Sequence, residues 1–133
     1  MRAVFLTLTA IAALGAASVA RAETFTCPAV LETDTTPAGH PQSFKFRYVS
    51  FCDGDPSELA DLAPEEDLAK AGHLNQRWEI VRNPGRPIVV VCRYHGTEAT
   101  IRKNLPPGIK ECRLEGLIDA KGEIQGSPKL ECK

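Results

Sequence analysis

The chain has 133 residues with 10 Gly, 10 Pro, 5 Cys and 25% charged residues, and its 16 basic and 17 acidic groups leave a net charge of −1. That length and mixture fit one domain and exclude fibrous and low-complexity classes. No basic stripe able to neutralise several phosphates is present, since Arg102-Lys103 stands alone, so charge excludes nucleic acid and an anionic membrane surface as partners.

At the N-terminus a single basic residue, Arg2, precedes an apolar stretch from Ala3 to Ala20 that ends in Ala20-Arg21-Ala22. Small residues on both sides of Arg21 suit a signal peptidase pocket. A secretory signal peptide over residues 1–22, cut between Ala22 and Glu23, is the expectation. The stretch lies at the short limit for a spanning helix, and no later segment approaches that length, so no membrane insertion is expected after cleavage. Lipid attachment would need Cys at the mature start, but Cys27 follows Thr24-Phe25-Thr26. The mature domain, 23–133, then has 111 residues with 14 basic and 17 acidic groups, net −3. It is large enough for one modest core, and its expected address is periplasmic or secreted.

In the mature chain Phe25, Cys27 and Val30 suggest a terminal strand or extended arm. Phe44, Phe46 and Tyr48 alternate with Lys45, Arg47 and Val49, which predicts a strand over 43–52 with an aromatic inner face, ending at Cys52. Two short helical signals follow. Asp55 can cap, Pro56 takes the first helical position and Glu58 sits three after the cap, opening a turn or two that carry Leu59 and Leu62. After Pro64, the acids Glu65, Glu66 and Asp67 fill a second first turn, and Gly72 is placed to end it.

Arg77 to Arg82 alternates, with Trp78 and Ile80 on one face, until Asn83-Pro84-Gly85 breaks it. The β-branched run Ile88 to Tyr94 reads as a central strand returning as a hairpin, with Val90, Cys92 and Tyr94 on a shared face. His95-Gly96-Thr97-Glu98 is a second turn, from which Ala99 to Arg102 runs back as a third antiparallel strand. Past Pro106-Pro107-Gly108, Ile109 to Leu114 alternates again with Cys112 in phase with Leu114, and Ile124, Leu130 and Cys132 mark a terminal strand. The fold class is mainly β with short helices (α+β): a small antiparallel sheet or barrel-like domain, disulfide cross-linked.

All five cysteines lie in the mature part, and an exported chain meets an oxidising compartment, so disulfides are the default. Strand phase favours Cys92 with Cys112, a closure of about 20 residues contributing roughly 3 kcal/mol. Cys27 with Cys132 would staple both ends. Cys52 is then the odd free thiol, although it could replace either partner of that second bridge.

The sequence carries no catalytic constellation, no cofactor motif and no metal site. Cys92-Arg93-Tyr94-His95 is half of a zinc spacing with no second pair to complete it. Asp53-Gly54-Asp55 with Glu58 has Gly and Pro56 in the wrong places for a calcium loop, and capping explains the acids. No G-x-S-x-G or C-x-x-C occurs. A thiol nucleophile would have to be Cys52 with His95 or His73 as base, without the electropositive setting that activates a thiolate.

The order Cys27-Pro28, Asp53 to Pro64, Trp78, Cys92-Arg93-Tyr94-His95-Gly96-Thr97 and Leu105-Pro106-Pro107-Gly108 leading to Cys112 resembles an uncharacterised family of small exported proteobacterial proteins, the STY-type hypothetical proteins of Salmonella origin. The resemblance implies a bacterial envelope address and no activity. Cys52 departs from that pattern. The expected function is a non-catalytic periplasmic module binding a protein or envelope component, by way of a turn such as His95 to Glu98. An inhibitor of lysozyme, with an acidic surface facing a cationic enzyme, is one version, and a thiol-active protein using Cys52 is the alternative.

Overall fold

A computed structural model describes residues 23–33 and 40–133. The expected signal segment, including Ala22, lies outside the described residues, while Glu23 opens the first strand. The strands are β1 (Glu23–Thr26), β2 (Val30–Thr33), β3 (Gln42–Asp53), β4 (Glu66–Lys70), β5 (His73–Glu79), β6 (Ile88–Tyr94), β7 (Thr100–Asn104), β8 (Glu111–Ile118) and β9 (Ile124–Cys132). They form a five-stranded sheet in the order β1-β9-β8-β5-β4 and a four-stranded sheet in the order β2-β3-β6-β7. All pairings are antiparallel.

The two sheets share one core. Phe46, Val49 and Phe51 of β3 and Ile88, Val90, Cys92 and Tyr94 of β6 meet Leu74 and Trp78 of β5, Leu114 of β8 and Leu130 of β9. Phe51 and Trp78 meet at a 49° tilt across the gap with ring centroids 4.9 Å apart, and Phe46 meets Tyr94 edge-on at 6.0 Å. Such pairs add roughly 0.5–1.5 kcal/mol each to the area they bury.

The mainly β class stands, but the expected short helices do not. The signal at Asp55 produces a single 3₁₀ turn, Pro56–Glu58, capped by Asp55, whose carboxylate accepts from the Ser57 amide at 2.8 Å. Leu59 then takes a left-handed conformation (φ 57°) and is 81% exposed, so it shares no apolar face with the half-buried Leu62. The chain returns along β3 instead, with the Leu62 amide donating to the Phe51 carbonyl. The second helical signal is strand β4, because Ala71 and Gly72, both at positive φ, form a two-residue turn that pairs it with β5. Acids and a terminal Gly fit either ending, and pairing decides.

The strand expected at Arg77–Arg82 is β5, which starts earlier at His73 and ends at Glu79, and it does not form one hairpin with the Val-rich strand. Asn83-Pro84-Gly85 carries the chain from β5 in one sheet to β6 in the other. The β6–β7 hairpin forms around Gly96 as expected, with Cys92 opposite Ile101.

The cysteine pairing also differs. Cys27 bonds Cys92, and Cys112 bonds Cys132, in place of Cys92–Cys112 and Cys27–Cys132. Cys92 and Cys112 both face the core, as strand phase indicates, but they belong to different sheets. Cys112 and Cys132 are directly opposite on β8 and β9 with Cα atoms 4.1 Å apart. Their neighbours Glu111 and Lys133 exchange backbone hydrogen bonds, which makes the cysteines the closer, non-hydrogen-bonded pair that a cross-strand disulfide needs. Cys27 lies where the chain passes from β1 to β2, and its bond ties that crossing to the centre of the opposite sheet. Tyr94 adds to the anchor by donating to the Pro28 carbonyl at 3.0 Å.

Peptide mapping without reduction should therefore recover the Cys27–Cys92 and Cys112–Cys132 peptides. In the chain-entropy account the closures, 65 and 20 residues apart in sequence, contribute about 4 and about 3 kcal/mol. Thermal unfolding should accordingly show a larger loss for C27S/C92S than for C112S/C132S.

Candidate partner-binding face

Strand β3 has a bulge between Phe46 and Tyr48 against β6, where Phe46 faces Tyr94 but Tyr48 faces Arg93. An inserted residue reverses the side-chain phase. Phe46 therefore points inward, Arg47 and Tyr48 are both exposed, and Val49 and Phe51 turn inward again. The expected inner aromatic face ends at Phe46, and Tyr48, 39% exposed, belongs to the outer face. The sequence contained a signal for this. Val49 and Phe51 alternate out of step with Phe44 and Phe46, so one unbroken strand cannot bury all four.

The outer face of the four-stranded sheet is thereby assembled in rows. Tyr48 lies beside Arg93 and Thr100, and Ser50 lies beside Val91 and Arg102. The Arg47 and Arg93 guanidiniums sit 5.4 and 5.9 Å from the centre of the Tyr48 ring. Arg93 Nε donates to Ser50 Oγ at 3.0 Å and Arg102 Nε to Thr100 Oγ1 at 3.1 Å, which fixes both heads. Among the described residues no carboxylate closes an ion pair with Arg47, Arg93 or Arg102, whereas Arg77 and Arg86 each pair with two acids. The Asp55 carboxylate, held below its ordinary range chiefly by its bonds from Ser57, also feels the charge of Arg102.

The expected contact turn borders this face only in part. Thr97 and Glu98 line the same hollow as Arg47, Tyr48, Arg93 and Thr100, while His95 lines a different one with Lys45 and Asp119. The hollow holds about 190 Å³, below the roughly 300–1,000 Å³ of small-molecule pockets. It suits a side chain of a partner.

The acids at Asp53, Asp55 and Glu58 are used internally. Arg86 bonds the Asp53 carboxylate at 3.2 Å and its carbonyl at 2.8 Å, and also pairs with Glu58. Gly54, at φ +86°, leaves room for that guanidinium, which a Cβ would strike. Arg86 is the organiser that sequence reasoning missed. Among the described residues no group of three or more His, Cys, Asp or Glu is placed to hold a metal ion, and Cys92 is committed to its disulfide. No helix of the described residues is long and apolar enough to cross a membrane.

Cys52 is the free cysteine, fully buried with Val89 and Val91. Its thiol donates to Asp61 Oδ1 at 3.1 Å, with Ser50 Oγ at 4.0 Å, and neither His73 nor His95 is among its partners. Burial raises the thiol above its ordinary range and the Asp61 carboxylate raises it further, outweighing the opposing pull of Ser50 and Arg93. A buried, protonated thiol is neither an activated nucleophile nor an accessible half of an intermolecular bridge. Iodoacetamide should therefore leave the native protein unlabelled and modify one cysteine after unfolding. Because the folded state holds this proton more tightly than the unfolded state, its contribution is complete below the ordinary thiol range. Stability should fall as pH rises through that range, and C52A should flatten that slope.

Comparison with known proteins supplies the family. The family model for the type VI secretion system Tli immunity protein matches residues 40–133, which takes in β3 to β9 and leaves Cys27 outside. An uncharacterised 16.3 kDa protein in the trpG 5′ region of Azospirillum brasilense is 28% identical over 69 residues, 52% of this chain. The matched stretch spans 46% of that relative's length. No solved structure matches. With the family model covering most of the chain, the protein belongs to the type VI secretion system Tli immunity protein family.

Proposed function

We propose that the chain is exported, acts in the periplasm and neutralises a toxic effector of a type VI secretion system by binding it, without catalysis, through the outer face of β3, β6 and β7. Family membership supports the immunity role. The two disulfides support an oxidising compartment, and the apolar leader ending in Ala20-Arg21-Ala22 supports export.

The observation that carries the choice of face is Tyr48, exposed between two guanidiniums that form no ion pair with a carboxylate among the described residues. Tyrosine and arginine are enriched at interface hot spots, and tyrosine buries a large area at low rotamer cost. Here the cost of ordering is lowered in advance: the ring is held by its cationic neighbours, and two of the arginine heads are held by hydroxyls. The partner surface that fits is acidic with an apolar centre. A lysozyme inhibitor would need an acidic surface elsewhere on the chain, since the three guanidiniums of this face repel a cationic enzyme. The buried Cys52 opposes a thiol-active reading.

The test is co-expression with the type VI effectors of the same bacterium, followed by titration of the purified pair. Y48A and R93E should each weaken binding by about tenfold or more and abolish protection, with the melting temperature within a few degrees of the parent. T97A, at the border of the face, should cost less. Full protection by Y48A/R93E would remove this face from the account. Wild-type protein that neutralises none of those effectors would remove the immunity reading.

A further inference from the structure

Strand β4 is the outermost strand of the five-stranded sheet, and all five of its residues are exposed, Leu68 at 62%. Its hydrogen-bond phase follows from the turn. Ala71 (φ 53°) and Gly72 (φ 76°) connect Lys70 to His73, and a two-residue turn of this kind closes on a hydrogen-bonded pair. By alternation Leu68 with Asn75 and Glu66 with Arg77 are hydrogen-bonded too, while Asp67 and Ala69 are not. Two further bonds keep the same phase, from the Glu65 amide to the Arg77 carbonyl at 2.8 Å and from the Ile118 amide to the Gly72 carbonyl at 2.9 Å. The backbone groups of Asp67 and Ala69 therefore point away from β5, and no described strand takes them.

The side chains along this edge are complementary to their own reverse. In an antiparallel pairing centred on Leu68, Asp67 and Ala69 of one chain exchange backbone bonds with Ala69 and Asp67 of the other. Leu68 then lies against Leu68, and Glu66 lies against Lys70 at both ends. The edge strand β7 lacks this property, because the same operation about its middle sets Arg102 against Arg102. We propose that β4 is a self-association edge, through which two copies join their five-stranded sheets by an isologous two-fold contact. It lies in the other sheet from the Tyr48 face and does not depend on that assignment.

Sedimentation velocity of the mature protein over a wide concentration series tests this. Wild type should pass from monomer to dimer as concentration rises. K70E sets like charges opposite each other twice and should weaken the dimer by roughly tenfold, and E66K/K70E should restore it to within about threefold. Glu66 also meets Arg77 at 3.3 Å, a pair open to solvent on the Glu66 side, and Arg77 keeps Glu111 as a partner, so its loss should change folding little. A69P removes an outward amide and no ladder bond of its own sheet, so it should abolish the dimer while the monomer keeps its melting temperature. The proposal is overturned by a wild type that stays monomeric throughout, by a dimer indifferent to K70E, or by a double variant that does not recover.

Discussion

The bond between Cys27 and Cys92 is the constraint on which most of the architecture turns. The segment 27–29 is the point at which the chain leaves one sheet and enters the other, and it has no strand of its own to hold it. Covalent attachment to the middle of β6, with the Tyr94 hydroxyl on the Pro28 carbonyl beside it, sets the position of that crossing. From there β1 runs along β9 and β2 along β3, so one anchor places an outer strand on each sheet. Lys103 of β7 lies over the Phe25 ring of β1, which brings the two sheet edges together on the same side.

That anchor also reaches the face proposed for binding. Side chains alternate along a strand, so Cys92 facing the core sets Arg93 outward beside Tyr48. The inner row of β6 is occupied by a disulfide and a buried tyrosine, and the outer row carries the cation. A stiff strand holding a half-buried guanidinium loses little entropy when a partner binds. The bulge at Arg47 completes the arrangement by turning one more cation and one aromatic ring to the same surface. An immunity protein needs such a surface more than it needs a pocket, and the small hollow there is in keeping with that.

Much of this was legible in the residues, and the failures have physical causes. Strands β3, β6, β7 and β8 follow from alternation and β-branching, and the β6–β7 turn from Gly96. Inward phase for Cys92 and Cys112 was also legible, but phase gives a face and not a neighbour. Two inward cysteines on separate sheets look the same as two on adjacent strands. Strand β4 was missed because Glu65-Glu66-Asp67 and Gly72 satisfy helix ends as well as they satisfy a hairpin, and the pairing with β5 that decides between them is not local. The alternation of Phe44, Phe46 and Tyr48 points Tyr48 to the core only if one period runs through the whole strand, and the strand changes phase at Arg47. Arg86 carried no motif at all, since its role arises from Asp53 and Glu58, which only the fold brings to it.

Hydrogen–deuterium exchange of the chain, alone and with an effector it neutralises, shows whether that effector is held on the outer face of β3, β6 and β7. Protection concentrated around residues 47–50 and 93–102, with the β4–β5 hairpin and the outer face of β8 unchanged, is the result expected. Protection confined to the five-stranded sheet, with the Tyr48 region exchanging as in the free protein, would contradict it.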